Sequence, residues 1–172
     1  MTRSDLQTSR PVLGVSCAVV AQGCVVLIQR GKAPYEGIWS LPGGSVEWGE
    51  TVFAAGAREV HEETGIACVP TSFLTVLDVI DRGDARGAGG FHFAIVCVRA
   101  ELKALPGGPS GSSVAGASPL PCPVAASDAR QAAWFALPKR IGTPPAGVRT
   151  DLSDLELTPR MAQVLAGLAC EL

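Results

Sequence analysis

The chain has 172 residues, of which 47% are hydrophobic, and a formal net charge of −2. This length suits one domain with a substantial core and is short for two, so we expect a single domain over residues 1–172. The 14 Lys and Arg residues are scattered along the sequence rather than gathered in a stripe. A nucleic acid polymer is therefore not the expected partner, whereas a small anionic ligand is compatible with the charge.

The cysteines and the N-terminal segment favour a cytoplasmic protein. Six cysteines stand at positions 17, 24, 68, 97, 122 and 170, with no CxxC pair and mostly in apolar stretches, as is typical of reduced thiols. Arg3 and Arg10 precede an apolar run at 12–21, which leaves a signal peptide as the alternative. Gly14 interrupts that run, and a second strand-like stretch follows directly. No apolar stretch is long enough to span a membrane as a helix, so no membrane partner is expected.

The first half of the chain predicts a hairpin, a loop and a helix. Two runs rich in Val, Cys, Leu and Ile, Val12–Ala21 and Cys24–Arg30, are separated by Gln22-Gly23, which indicates two antiparallel strands. A loop rich in Gly and Pro follows at 31–44 and suggests backbone close to a ligand. Next, Thr51–Thr64 is predicted to be a helix.

The helix prediction depends on an apolar stripe and on a glycine at its end. Phe53, Ala57, Val60 and Thr64 recur at helical spacing, and Gly65 is expected to cap the C-terminus. The remaining predicted elements are strands at 73–82, 91–102 and 131–137, and a last helix that Thr158-Pro159 opens and that runs through Leu172.

A compositionally distinct segment, 103–127, lies between the last strands. It holds five prolines and many Gly, Ala and Ser residues. Such a composition buries little apolar surface, so a mobile insertion is expected. It is either a lid over a binding site or a loop without functional consequence.

Three glutamates of the predicted helix carry the strongest chemical signal. Glu59, Glu62 and Glu63 are spaced i, i+3 and i+4, which places three carboxylates within about one turn. A solvated charged face is the alternative interpretation. A hard cation such as Mg²⁺, which prefers oxygen ligands, would relieve their mutual repulsion.

The wider spacing around these glutamates resembles the Nudix box. Gly44 is followed after five residues by Glu50, and after seven more by the run from Arg58 to Ile66 (Arg-Glu-Val-His-Glu-Glu-Thr-Gly-Ile). The lead-in from Gly37 to Gly44 is also similar to that of the Nudix family. The resemblance implies an α/β/α sandwich with a mixed sheet, in which the box forms a loop, a helix and a loop at a cleft.

The resemblance also implies roles for the box residues. Glu59, Glu63 and the carbonyl of Gly43 would bind Mg²⁺ or Mn²⁺, and Glu62 would bind a further cation or help to activate water. Arg58 would pair with Glu50 and orient the helix, and the alternative is a plain surface ion pair. The glycines of the box that would support this arrangement are Gly44 and Gly65.

The implied reaction is hydrolysis of the diphosphate bridge in a nucleotide substrate, with a metal neutralising phosphate charge. Arg30 and Lys32, just before the glycine loop, are placed to bind phosphate, and a solvated surface position is the alternative for Lys32. Trp134 could stack on a base, although a Trp in a short apolar strand is more often core. If a late acidic group assists, Asp128 is the nearest candidate, since Gln131 stands where relatives often have Glu.

Three functions stay open at this point. The chain is similar to compact bacterial proteins called ADP-ribose pyrophosphatase-like, although the proline that marks many ADP-ribose enzymes is missing near Asp81. A triphosphatase that removes damaged nucleotides of the 8-oxo-dGTP type is the alternative enzyme. A Nudix domain that senses a ligand without catalysis is the third. A homodimer is compatible with the sequence.

Overall fold

The computed structural model describes residues 10–83, 90–103, 119–138 and 142–170. Within these ranges the chain forms seven strands and two α-helices. In chain order they are β1 Val12–Ala21, β2 Cys24–Arg30, β3 Trp39–Ser40, β4 Gly43–Ser45, α1 Val52–Thr64, β5 Cys68–Asp81, β6 Phe91–Leu102, β7 Ala129–Ala136 and α2 Met161–Cys170.

The hairpin of β1 and β2 has the predicted bounds. Gln22 and Gly23 adopt φ angles of 51° and 69°, so both turn residues are left-handed, as a two-residue hairpin turn requires. The strands pair antiparallel from Val20 opposite Val25. A short apolar run on each side of a turn signal was sufficient to predict this unit.

The sheet is mixed, and β1 lies near its centre. Along one path the strand order is β3-β2-β1-β6-β5, while β4 pairs with β1 and β7 pairs with β2. β1 runs parallel to β6 and antiparallel to β2 and β4. Because β4 and β6 flank the same stretch of β1, residues from the box loop and from a distant strand meet across it.

Each face of the sheet packs on one helix. On one face Val15, Cys17 and Val19 of β1 lie in a buried cluster with Ala55 and Val60 of α1. On the other, buried residues of the sheet pack with α2 through Met161, Val164, Leu165 and Leu168. Side chains alternate between the faces along a strand, so β1 contributes to both clusters. This arrangement is the α/β/α sandwich that the resemblance implied.

Several predicted boundaries differ from the structure. β5 begins at Cys68 rather than Phe73, and two short strands, β3 and β4, lie where a loop was predicted. The last helix begins at Met161, because Arg160 has φ of 64° and interrupts helical geometry before it. Thr158 and Pro159 therefore precede the helix instead of opening it.

The predicted insertion at 103–127 is only partly described. Residues 104–118 lie outside the described residues, while 119–127 run along the end of α1. The N–H groups of Val124 and Ala126 donate to the carbonyls of Thr64 and Glu63, at 2.9 and 3.2 Å. This last part of the segment is thus tied to the helix that carries the glutamates.

Candidate active site

Both ends of helix α1 are fixed by local hydrogen bonds. The Thr51 hydroxyl accepts from the N–H of Ala54 at 3.1 Å, and Gly65, with φ of 69°, donates to the carbonyl of His61. These caps satisfy terminal groups and set where the helix begins and ends. The predicted bounds, Thr51–Thr64 with Gly65 as cap, agree with the structure to within one residue.

The buried face of α1 differs in part from the predicted stripe. Val60 and Thr64 are buried as expected, but Phe53 and Ala57 are only half-buried. The fully buried positions in the first half are instead Ala55 and Gly56, followed by Val60, Glu63 and Thr64. One carboxylate, Glu63, therefore lies on the inward face of the helix.

Glu63 is a buried carboxylate with like charge beside it. The residue is 4% exposed, and its Oε2 accepts a hydrogen bond from the N–H of Gly43 at 2.9 Å. Burial raises the pKa of Glu63 to about 8, against the opposing effect of the Gly43 bond, and the charge of Glu59 raises it further. The surroundings of Glu63 thus supply too little positive charge to offset its burial.

Glu59 lies against the glycine pair of the box. A Cβ on Gly44 would stand 2.3 Å from its Oε1, so only glycine leaves room for this carboxylate. The Glu59 side chain is 14% exposed and accepts from Arg58 Nη1 at 2.8 Å. Burial raises its pKa, and the neighbouring Arg58 opposes that rise.

Arg58 joins the preceding loop to the glutamates. Its Nε and Nη2 donate to the two carboxylate oxygens of Glu50, both at 3.0 Å, and Nη2 also donates to the carbonyl of Ser45. Nη1 reaches Glu62 at 3.3 Å in addition to Glu59. The Arg58 hydrogen bonds hold the pKa of Glu50 below its usual value. The ion pair that the resemblance implied is present, and it is bidentate.

The three predicted metal-binding glutamates are not equivalent in the structure. Glu59 and Glu63 line the central cavity together with Gly43, whereas Glu62 does not line it and its side chain is 47% exposed. In the part of the chain that the structure describes, no three His, Cys, Asp or Glu side chains converge on one point. The structure therefore brings together a carboxylate pair and leaves Glu62 on the outer side of α1.

The cavity has a volume of about 380 Å³ and two chemically different ends. The charged end holds the carboxylate pair, Arg30, Lys32 and Asp128. The other end is formed mainly by apolar side chains of β5, β6 and the start of α2. A ligand with one anionic and one apolar part matches this division.

The two predicted phosphate-binding cations both lie at this charged end. Arg30 Nε donates to the carbonyl of Pro34 at 2.9 Å, and the Arg30 charge lowers the pKa of Glu63. Lys32 pairs with Asp128, and the N–H of Gly31 donates to the Asp128 carbonyl at 2.7 Å. Asp128 thus contacts the residues that directly follow β2, next to Arg30.

Trp134 corrects a prediction. Trp134 is 3% exposed and packs in the core cluster under α1. Its Nε1 donates a hydrogen bond to the carbonyl of Pro121 at 2.8 Å. It does not line the cavity. The sequence could not decide between stacking and core, because that choice depends on which side of the sheet Trp134 faces. The structure supports the core interpretation.

Other cavity residues were not singled out from the sequence. Tyr35 lines the cavity with φ of 64°, an unusual backbone angle for a bulky residue. Phe91 and Phe93 line its apolar end. The available signal was the alternation of two aromatic residues on a predicted strand, which places both on one face.

Comparison with known proteins identifies the family. A model of the NUDIX domain matches residues 10–138, most of the chain. The chain therefore belongs to the Nudix family.

Individual relatives agree with this. The chain is 36% identical over 94 residues to an ADP-ribose pyrophosphatase of Methanocaldococcus jannaschii, covering 55% of this chain and 56% of that protein. It is 37% identical over 109 residues to the 8-oxo-dGDP phosphatase NUDT18 of Mus musculus, covering 60% of this chain and 32% of that protein. The matched stretches thus span about half or less of these relatives.

A solved structure matches over nearly the whole chain. The MutT NUDIX hydrolase from Burkholderia pseudomallei is 28% identical, with a TM-score of 0.64, and the match covers 93% of this chain and 99% of that one.

Neither helix in the described ranges has the length and apolar character that a membrane crossing requires.

Nudix hydrolases use divalent metal ions, and the residues present here fit such an ion. Glu59 and Glu63 are oxygen donors, and the missing Cβ of Gly44 leaves the Glu59 carboxylate its place against the loop. Burial raises the pKa values of both carboxyls, and the nearby Arg58 and Arg30 compensate the charge of the ionised forms only in part. A hard cation would supply that compensation.

Proposed function

We propose that the chain hydrolyses the diphosphate bridge of a nucleoside diphosphate linked to another group, with an ADP-ribose-like substrate favoured. The observation that carries this proposal is a carboxylate pair, half-buried Glu59 and buried Glu63, at one end of a cavity whose other end is apolar. The same end holds cations for phosphate, and the opposite end suits a nucleobase.

The chain's own residues would bind and orient the substrate. Arg30 and Lys32 would contact the phosphate oxygens, for which Lys32 must leave Asp128. That exposed ion pair costs about 1 kcal/mol or less to break, since both partners are accessible to water. The diphosphate would then lie beside Gly43 and the carboxylate pair.

Glu59, Glu63 and the carbonyl of Gly43 would hold Mg²⁺, with Mn²⁺ as an alternative. When bound, the ion would neutralise phosphate charge and lower the pKa of a water molecule. Arg58 would keep the Glu59 carboxylate in place through its ion pair with Glu50. Glu62 would act from the outer side of the helix, through a further cation or by helping to activate water.

The relatives support this class of substrate and also a second candidate. The likeness to an ADP-ribose pyrophosphatase favours a nucleoside diphosphate derivative. The likeness to an 8-oxo-dGDP phosphatase favours an enzyme that removes damaged nucleotides. The two candidate functions predict different preferred substrates, that is, different compounds that the enzyme hydrolyses at the lowest substrate concentration.

A panel assay tests the proposal. ADP-ribose, other nucleoside diphosphate sugars, and 8-oxo-dGTP with 8-oxo-dGDP would be incubated with Mg²⁺ or Mn²⁺, and products identified by mass. We expect AMP and ribose 5-phosphate from ADP-ribose, and none without metal. Preferred cleavage of 8-oxo nucleotides would support the second candidate, and no cleavage of any compound would support a ligand sensor.

Cell compartment and assembly are also proposals. The free thiols of Cys17, Cys68, Cys97 and Cys122 support a cytoplasmic protein. A homodimer gains support from strand β5, which has β6 as its partner in the described sheet and exposes four large apolar side chains, those of Val69, Phe73, Val76 and Ile80. Light scattering on the purified chain would measure its mass.

A further inference from the structure

Left-handed backbone in residues other than glycine gathers beside the cavity. In the described ranges the residues with such positive φ angles are Gln22, Tyr35, Ser127 and Arg160. Gln22 belongs to the hairpin turn, which requires this angle. Tyr35 and Ser127 line the cavity, and Arg160 stands between two residues that line it. Strained backbone outside turns is typical of functional sites, so these positions indicate where the wall is adapted to a ligand.

Tyr35 is the least expected of the three residues beside the cavity. Asn and Asp enter the left-handed region with little strain because their short polar side chains form local hydrogen bonds, whereas a bulky aromatic side chain has no such compensation. Tyr35 has φ of 64°, is half-buried, and is the single tyrosine of the chain. The backbone therefore gives no reason for a tyrosine here, and the reason has to lie in its side chain.

The loop holds Tyr35 in this conformation from both sides. The N–H of Arg30 donates to the carbonyl of Ile38 at 3.0 Å, and the N–H of Ile38 donates to the carbonyl of Tyr35 at 3.2 Å. Glu36, the next residue, pairs with Arg130 of β7. These contacts fix the loop before a ligand arrives, so the tyrosine needs little reordering on binding.

Tyr35 lies next to the charged end of the cavity. The carbonyl of Pro34, the preceding residue, accepts from Arg30 Nε at 2.9 Å. Consecutive Cα atoms are about 3.8 Å apart, so the Tyr35 side chain begins beside the Arg30 guanidinium. Arg30 in turn is near enough to Glu63 to lower the pKa of that carboxyl. An anionic group bound by Arg30 therefore lies within reach of the Tyr35 side chain.

The Tyr35 hydroxyl is available to a ligand. It has no hydrogen-bond partner within the part of the chain that the structure describes. A third cation at this position would attract the Glu59 and Glu63 carboxylates and so compete with a metal ion. The phenol donates to a phosphate oxygen without that competition, and hydrogen bonds to charged acceptors are the stronger kind.

We infer that Tyr35 is a substrate-binding residue whose hydroxyl donates a hydrogen bond to a phosphate oxygen of the diphosphate. This inference rests on the proposed function for the identity of the ligand. Arg30 and Lys32 supply positive charge to the diphosphate, and Tyr35 fixes the position of one oxygen. The end of β2 and the loop after it thus present three phosphate donors within six consecutive positions.

Binding of phosphate compounds tests the inference without turnover. The probes are inorganic pyrophosphate and an ADP-ribose analogue with a methylene group in place of the bridging oxygen, each titrated calorimetrically into the full chain with Mg²⁺. Tyr35→Phe removes the hydroxyl and keeps the ring. It should weaken both probes about tenfold or more, because a hydrogen bond to a charged acceptor is lost, and should leave the melting temperature unchanged. Pyrophosphate affinity equal in parent and variant would overturn the inference, as would a parent chain that binds no pyrophosphate.

A second variant separates binding from a structural role. Asn suits the left-handed backbone better than Tyr. Tyr35→Asn should therefore keep the melting temperature within a few degrees of the parent while binding pyrophosphate as weakly as Tyr35→Phe does. A large fall in melting temperature with normal pyrophosphate affinity would show that the tyrosine only packs the loop. Gln22→Asn is the matched control and should bind both probes as the parent does, because Gln22 also has positive φ but does not line the cavity.

The outcome is distinguishable from failure of the proposed function. If Tyr35→Phe weakens pyrophosphate binding but the parent chain cleaves no diphosphate compound, the Tyr35 assignment stands and the hydrolase proposal falls. If Tyr35→Phe hydrolyses ADP-ribose with unchanged KM and kcat, the hydrolase proposal stands and the Tyr35 assignment is wrong.

Discussion

Replacement of Glu63 by glutamine tests the centre of the site most directly. Because burial raises the pKa of Glu63 from its usual 4.5 to about 8, the folded state holds this proton more tightly than the unfolded state. The contribution of Glu63 to the free energy of unfolding of the metal-free protein is therefore largest below pH 4.5 and falls as the pH rises toward 8. Between pH 4.5 and pH 7, ionisation of Glu63 lowers the free energy of unfolding by about 3 kcal/mol.

Glu63→Gln removes this loss. The amide oxygen still accepts from the N–H of Gly43, so the fold should persist. In metal-free buffer at pH 7 the variant should melt roughly 5–10 °C above the parent chain, a difference that should shrink toward pH 4.5. A neutral amide is a weak ligand for a hard cation, so kcat should fall at least about a hundredfold and Mg²⁺ should no longer raise the melting temperature.

Scanning calorimetry at several pH values, with and without Mg²⁺, and initial rates with ADP-ribose measure these effects. Glu101→Gln, at an exposed position on β6, is the matched control and should change neither. Turnover near that of the parent would contradict the proposed metal role. A lower melting temperature in metal-free buffer at pH 7 would contradict the reasoning about burial.

Four further outcomes are expected. Gly44→Ala should lower kcat tenfold or more, because the new Cβ would displace the Glu59 carboxylate. Gly167→Ala is the control: the space around Gly167 is open, so calorimetry should show unchanged or slightly higher stability. Arg58→Lys loses the bidentate ion pair and should weaken Mg²⁺ binding about 10- to 100-fold by titration; unchanged affinity would reduce the pair to a surface contact. Replacing 104–118 by a short glycine bridge should leave the melting temperature within a few degrees, and unfolding would show that the segment is packed. Hydrolysis of ADP-ribose in ¹⁸O-water should label AMP alone by mass spectrometry, because one register in the cavity exposes one phosphorus; label in ribose 5-phosphate alone would reverse the substrate's direction.

The parts of the fold that the sequence predicted well are those with local signals. Gln22-Gly23 marks a hairpin turn, and Thr51 and Gly65 mark the ends of α1, each through a hydrogen bond or backbone angle involving near neighbours. The clustering of Glu59 and Glu63 follows from helical spacing alone. For these features the sequence contains the physical cause within a few residues.

The remaining features depend on contacts between distant segments. That Glu63 is buried while Glu62 is exposed depends on which side of α1 meets the sheet, and the apolar stripe indicated this only in part. Trp134 was uncertain because β7 has a covered face on each side. The start of α2 was misplaced because Arg160 adopts a left-handed backbone that its residue type does not signal.

The parallel pairing of β1 with β6 bears on how the cavity forms during folding. Val12 pairs with Phe93, about 80 positions later, whereas the hairpin and the box helix close over short loops. Long loops cost entropy before their contacts stabilise the chain, so parallel pairing is slow. The carboxylate-bearing half can thus organise early, but the cavity acquires its floor only when β6 arrives beside β1. Ligand binding should consequently appear with the slowest folding phase. A nascent chain that has just completed α1 has the carboxylates proposed to bind metal well before it has a place for the substrate.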